Sequence, residues 1–319
     1  MTGSNFRSNL FLKKRSYCFN YIDSNLHGKK LILVIQDLLF LSVSVEAKNE
    51  IIHPVCIINS LKNFIGDDKN NPSKVLLKFG IDYLFQFKLR KNDKILLEEA
   101  IEKGNVKTAF TGDLEDACQR NDWTKAEIML VKLFIASDRS RATFDLLAEL
   151  ALQDSPRNVL FIHHILRAYQ FQEHKNDNWT FIMSIFNQIH NKKLPRPHKV
   201  ENSKSDFSLN NLSNNSDIVL FMAMKRIWES EYVRSRGYNR EISYWLTKID
   251  FQQQNEFKNN YTFQKLKNLS FISAAEDLVK GEKSIDEKLE ALLLLEALRS
   301  ACNLMDKKQY NKLVFRFIN

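Results

Sequence analysis

Glycine and proline are both scarce in this chain of 319 residues, 8 and 5 in number. Glycine supplies positive φ and proline fixes φ while removing a donor, so turn-rich β folds use both freely. Their scarcity excludes such a fold and favours long helices. Cysteine is equally sparse: Cys18, Cys56, Cys118 and Cys302 lie far apart, with no Cys-x-x-Cys spacing. That excludes a zinc knuckle and a disulfide framework, and the four read as free thiols in a reducing, cytoplasmic compartment. No apolar run reaches the roughly 18 to 20 residues of a membrane span, because Gln36 and Asp37 interrupt the longest one. A P-loop, a Gly-x-Gly-x-x-Gly turn and a Gly-x-Ser-x-Gly elbow are also missing, which removes the familiar phosphate cradles and the hydrolase nucleophile.

Charge is plentiful. Lysine and arginine number 47 against 38 acids, for a net charge of +9. The basic residues are scattered, at Lys13-Lys14-Arg15, Lys29-Lys30, Arg234 to Arg240 and Lys307-Lys308. Proteins that bind nucleic acid concentrate such charge on one face, so dispersal argues against that partner. A basic nucleic-acid-binding accessory protein is the third functional reading, and it requires an affinity that falls steeply with salt. The first 22 residues hold four basic side chains and no acid, and residues 1–28 read as a basic, loosely ordered N-terminus with no secretory cleavage pattern.

Apolar residues recur at three- and four-residue spacing through most of the chain, which predicts an all-α fold. The helix stops are legible. Pro72 and Pro156 suit first turns, Gly66 and Gly104 suit ends, and Thr124 with Glu127 and Ser284 with Glu287 have capping-box spacing. Leu97 to Ala109 aligns with Leu114 to Ala126 at a spacing of 17, a weak repeat of helix, polar turn and alanine. Prolines at 195 and 197, followed by an Asn/Ser-rich stretch, predict a linker or loop over 194–216. The expected architecture is antiparallel helical hairpins in two lobes, 29–193 and 217–319, with a short helical-repeat stack as its variant.

The histidines carry the most concentrated chemistry. His163 and His164 lie inside the apolar stretch Val159 to Tyr169, and His53 opens a second one, His53 to Ser60. Imidazole titrates near neutrality and ligates metals. Adjacent helical residues diverge by about 100°, so the pair is not expected to share one ion and no metal is assigned. Glu149 is the acid nearest at hand for any such site. Acid–base chemistry fits better, with Arg167 one turn from His163, and Tyr169 and Asn59 as groups that orient an imidazole or stabilise an oxyanion.

The segment His163-His164-Ile165-Leu166-Arg167-Ala168-Tyr169 resembles the His-His-x-Leu-x-Ala-Tyr segment of questin-oxidase-like proteins. His53-Pro54-Val55 is similar to a His-Pro-Leu/Val segment of the same helical domains. The resemblance implies an all-α fold and an NADPH-using oxygenation of the kind that opens polyketide rings. It implies a small apolar organic substrate in a pocket lined by His53, His163 and His164. The alternative reading is a non-catalytic helical-repeat scaffold that binds a protein partner, as the 17-residue repeat suggests.

Overall fold

The computed structural model describes residues 4–24, 26–47, 50–102, 108–199, 214–248, 263 and 270–318. Among them the chain is all-α, and its β-type pairing is an isolated bridge between Val45 and Leu89. Helices α1 (Ser4–Phe11) and α2 (Arg15–Asp23) occupy the region expected to be loosely ordered. Leu10, Cys18 and Ile22 are fully buried there. The basic side chains that looked like a solvated tail are tethered instead. The Arg7 guanidinium clasps both carboxylate oxygens of Asp177 at 3.0 and 2.9 Å, and Lys13 donates to the carbonyls of Phe85 and Phe87 at 2.8 and 2.7 Å.

Helices α3 (Lys29–Ser44), α4 (Pro54–Asp67) and α5 (Lys74–Leu84) follow. His53 is the N-cap of α4 and Pro54 stands in its first turn, where a missing N–H is harmless. Next come α6 (Ile95–Glu102), α7 (Thr111–Gln119) and α8 (Trp123–Ala136). The cap of α8 is Asp122, accepting from the Lys125 N–H at 3.1 Å, and not Thr124. The helix begins two residues earlier than that spacing implied, so Thr124 falls inside its first turn, and Asn121 turns the chain at φ 56° just before the capping aspartate. The matching turn of the first repeat copy lies at 103–107, outside the described residues.

Helices α9 (Ala142–Leu152), α10 (Ser155–Phe171) and α11 (Asn178–Ile189) complete the part before the linker. Most of the 194–216 segment and the Gln/Asn-rich stretch after 250 lie outside the described residues. Helices α12 (Asn215–Trp228), α13 (Ser235–Lys248), α14 (Phe271–Lys280), α15 (Ile285–Leu304) and α16 (Lys307–Ile318) end the chain. The capping box expected at Ser284 and Glu287 is present at α15.

Helix α10 is buried on nearly every face, its two histidines included, so it must be covered all round. It packs on α4 and α12; α15 then packs on both α12 and α4, closing a ring of four helices. The chain on the two sides of 194–216 therefore contributes to one hydrophobic core. The reason is that α4 and α10 present apolar faces that residues 29–193 cannot cover alone.

Candidate functional site

The ring of α4, α10, α12 and α15 encloses a polar cluster. His163 and His164 from α10 and Glu296 from α15 are 2%, 1% and 4% exposed, so all three have left solvent. One ligating atom from each lies within 4.8 Å of the other two. The two imidazoles diverge at Cβ as the helix geometry requires, but their rings turn together until the centroids are 4.8 Å apart. Two torsions at the end of a divergent bond are enough to bring ring nitrogens back to one region.

Each member is held by a neighbour. Asn59 of α4 donates through Nδ2 to His164 Nδ1 at 2.8 Å. Glu296 Oε1 accepts from Asn63 Nδ2 at 2.9 Å and from Ser300 Oγ at 3.0 Å. His163 Nδ1 and Asn59 Oδ1 are buried with no hydrogen-bond partner. Buried polar atoms are partnered in the great majority of cases, so two orphans among these side chains mark the cluster as unfinished by packing.

Cations gather at its margin, one from each helix: Lys62 of α4, Arg167 of α10, Arg226 of α12 and Arg299 of α15, all half-buried. Arg299 is paired with Asp67. Burial, reinforced by Arg167, pushes the Lys62 ammonium down to about 7, despite the opposing pull of Glu296. Burial holds both imidazoles in the neutral form. His164 is pushed down to about 4, and His163 lies well below its ordinary value, with His164 and Arg226 adding to the effect.

Asn59 thus bonds to the histidine pair, and Arg167 reaches it only through its charge, its guanidinium donating to Gln170 at 2.9 Å, while His53 and Tyr169 lie elsewhere. Tyr169 faces the opposite side of α10, stacked on Phe144 at 4.2 Å and edge-on to Phe181 at 5.5 Å. His53 lies in the wall of a separate cleft of about 860 Å³, beside Arg90, Asp93, Glu127, Met183 and Ser184. Its Nδ1 accepts the Val55 N–H at 3.2 Å, which commits that lone pair to capping α4. The ring proton therefore sits on Nε2, facing Ser184 Oγ at 3.4 Å. An imidazole in that tautomer cannot take the serine proton. Burial, aided by Arg90, pushes His53 down to about 3.

Glu149, the acid nearest at hand in the sequence, is engaged elsewhere, in ion pairs with Arg234, just before α13, and with Arg240 within it. The carboxylate that reaches them is Glu296. Its signal was a lone charge inside the apolar run Ala291-Leu292-Leu293-Leu294-Leu295-Glu296-Ala297-Leu298. Neither Lys62 nor Arg226 carries a comparable mark.

No known family model, curated protein or solved structure matches the chain.

Proposed function

We propose that the protein is an enzyme, a questin-oxidase-like oxidoreductase, whose reacting centre is His163, His164 and Glu296. The observation that carries this reading is the meeting of two imidazoles and a carboxylate, each more than nine-tenths buried, where four helices converge. Withdrawing such groups from water costs several kcal/mol each before compensation, and perturbed ionisable groups collect at functional sites. A neutral imidazole with an uncommitted nitrogen can accept a proton from a bound substrate, or give its lone pair to an ion that polarises one. The fields of the half-buried Lys62, Arg167 and Arg226 reach the cluster, and favour a small, mainly apolar organic molecule that bears one anionic group. NADPH enters this reading through the family resemblance alone.

The test is consumption of NADPH or dioxygen by purified protein over a panel of aromatic phenols, ketones and acids. Compound-dependent turnover that falls at least about 100-fold in His163→Ala supports the proposal. Absence of turnover over the panel, or turnover indifferent to His163→Ala and Glu296→Gln, overturns it.

A second reading, the protein-binding scaffold, is favoured by α6. None of its residues is buried; Ile95 and Ile101 are exposed, as is Ile128 on α8, against which α6 packs. It expects a stable stoichiometric partner that is lost when these three isoleucines become lysine and is kept by His163→Ala.

A further inference from the structure

We infer that His163, His164 and Glu296 bind one divalent first-row transition-metal ion, with Asn59, Asn63 and Ser300 orienting the ligands. The inference rests on the centre of the proposed function and names the cofactor that reading leaves open. Two imidazoles and one carboxylate make up the donor set of several catalytic zinc sites and of the facial triad that holds non-haem iron(II), and both leave positions open for substrate.

The geometry is close to what an ion would impose. The three donor atoms lie within 4.8 Å of one another, and bonds of about 2.1 Å in tetrahedral geometry bring donors to about 3.4 Å. The remaining contraction, up to about 1.4 Å, lies within the reach of side-chain torsions. A second observation points to a ligand independently of that spacing. His163 is 2% exposed, yet its Nδ1 has no partner, and in the tautomer that leaves this nitrogen its lone pair a transition metal supplies the missing partner.

The surroundings fit a second layer of support. Metal-bound histidines generally donate their other N–H to a carbonyl or carboxylate, which fixes the ring and its tautomer. Asn59 faces His164 Nδ1 through Nδ2, and its Oδ1 has no partner. Half a turn of that amide exchanges the two atoms, sets a carbonyl against an Nδ1–H and leaves Nε2 free to ligate. Asn63 and Ser300 both donate to Glu296 Oε1 and so hold the carboxylate on the histidines. Buried sites between facing helices are where bundles build metal centres. Here one carboxylate and two adjacent histidines supply donors for a single ion. The nearby Lys62 and Arg226 oppose a bound cation, so the site selects ions that bond strongly to nitrogen, and Mg²⁺ is not among them.

The experiment is titration of full-length, EDTA-stripped protein with Co²⁺, read by visible absorption and by thermal unfolding, with Zn²⁺ as competitor and Mg²⁺ as control. We expect one equivalent of Co²⁺, displaced by Zn²⁺ and unaffected by Mg²⁺, and a higher Tm in its presence. Glu296→Gln and His163→Gln, checked for native circular dichroism, each weaken binding at least about 100-fold, and Asn59→Ala about 10-fold. Wild type that binds neither ion, or binds Co²⁺ no better than both Gln variants, overturns the inference. Metal bound without turnover counts against the proposed function alone. Turnover that survives EDTA counts against the metal alone.

Discussion

His53 and His164 are both buried, and their hydrogen bonds give them different chemistry. His53 spends its Nδ1 lone pair on the first turn of α4, whereas His164 meets an amide that can present either a donor or an acceptor. The cap has a pH signature. His53 is held at about 3 in the folded chain against about 6.5 unfolded. The unfolded state then binds more protons between those values, so the contribution to stability is complete above pH 6.5 and declines as the pH falls toward 3. His53→Asn keeps an N-cap acceptor but cannot titrate. Denaturant unfolding at pH 7.5 and 4.5 should show the wild type losing about 2.5 kcal/mol more than the variant over that interval; equal losses would refute the assignment. The histidines were legible as residues worth attention, because His53, His163 and His164 stand out in apolar stretches. Which nitrogen each commits was not, since that depends on backbone and side-chain atoms brought close only by folding.

Local signals served best where neighbours in the chain decide the outcome. The Ser284–Glu287 capping box appears where its spacing placed it, because both partners lie within one turn. Where a tertiary partner intervened, the local signal was insufficient: α1 and α2 are fastened by Asp177 and by carbonyls of residues 85 and 87, which the first 28 residues could not announce. Helix α13 makes the same point through Gly237. A Cβ there would overlap the Glu149 carboxylate that Arg234 and Arg240 hold in place. Glycine in a helix usually costs stability relative to alanine, so ordinary propensity expects Gly237→Ala to stabilise. The close approach reverses the sign, and chemical denaturation should show a loss of about 1 to 3 kcal/mol.

Over the whole molecule, the closing of α4, α10, α12 and α15 into one ring has a direct consequence for truncation. A chain ending at residue 199 retains α4 and α10 but lacks the helices that cover them. It should remain helical by circular dichroism, bind a hydrophobic dye and lose cooperative unfolding; a fragment that melts cooperatively with native near-ultraviolet dichroism would support the two-lobe division. The amino-acid sequence by itself determined the helical class, the proline that opens α10, the capping box of α15 and the candidacy of the histidine pair. Each follows from periodicity or from groups within a turn of one another. Tertiary structure alone decided that Glu296 joins the pair, that Glu149 and His53 serve elsewhere, and that the segments flanking the linker share a core. Those outcomes depend on how apolar faces distant in the chain cover one another, and that choice is made by the burial of all four helices together.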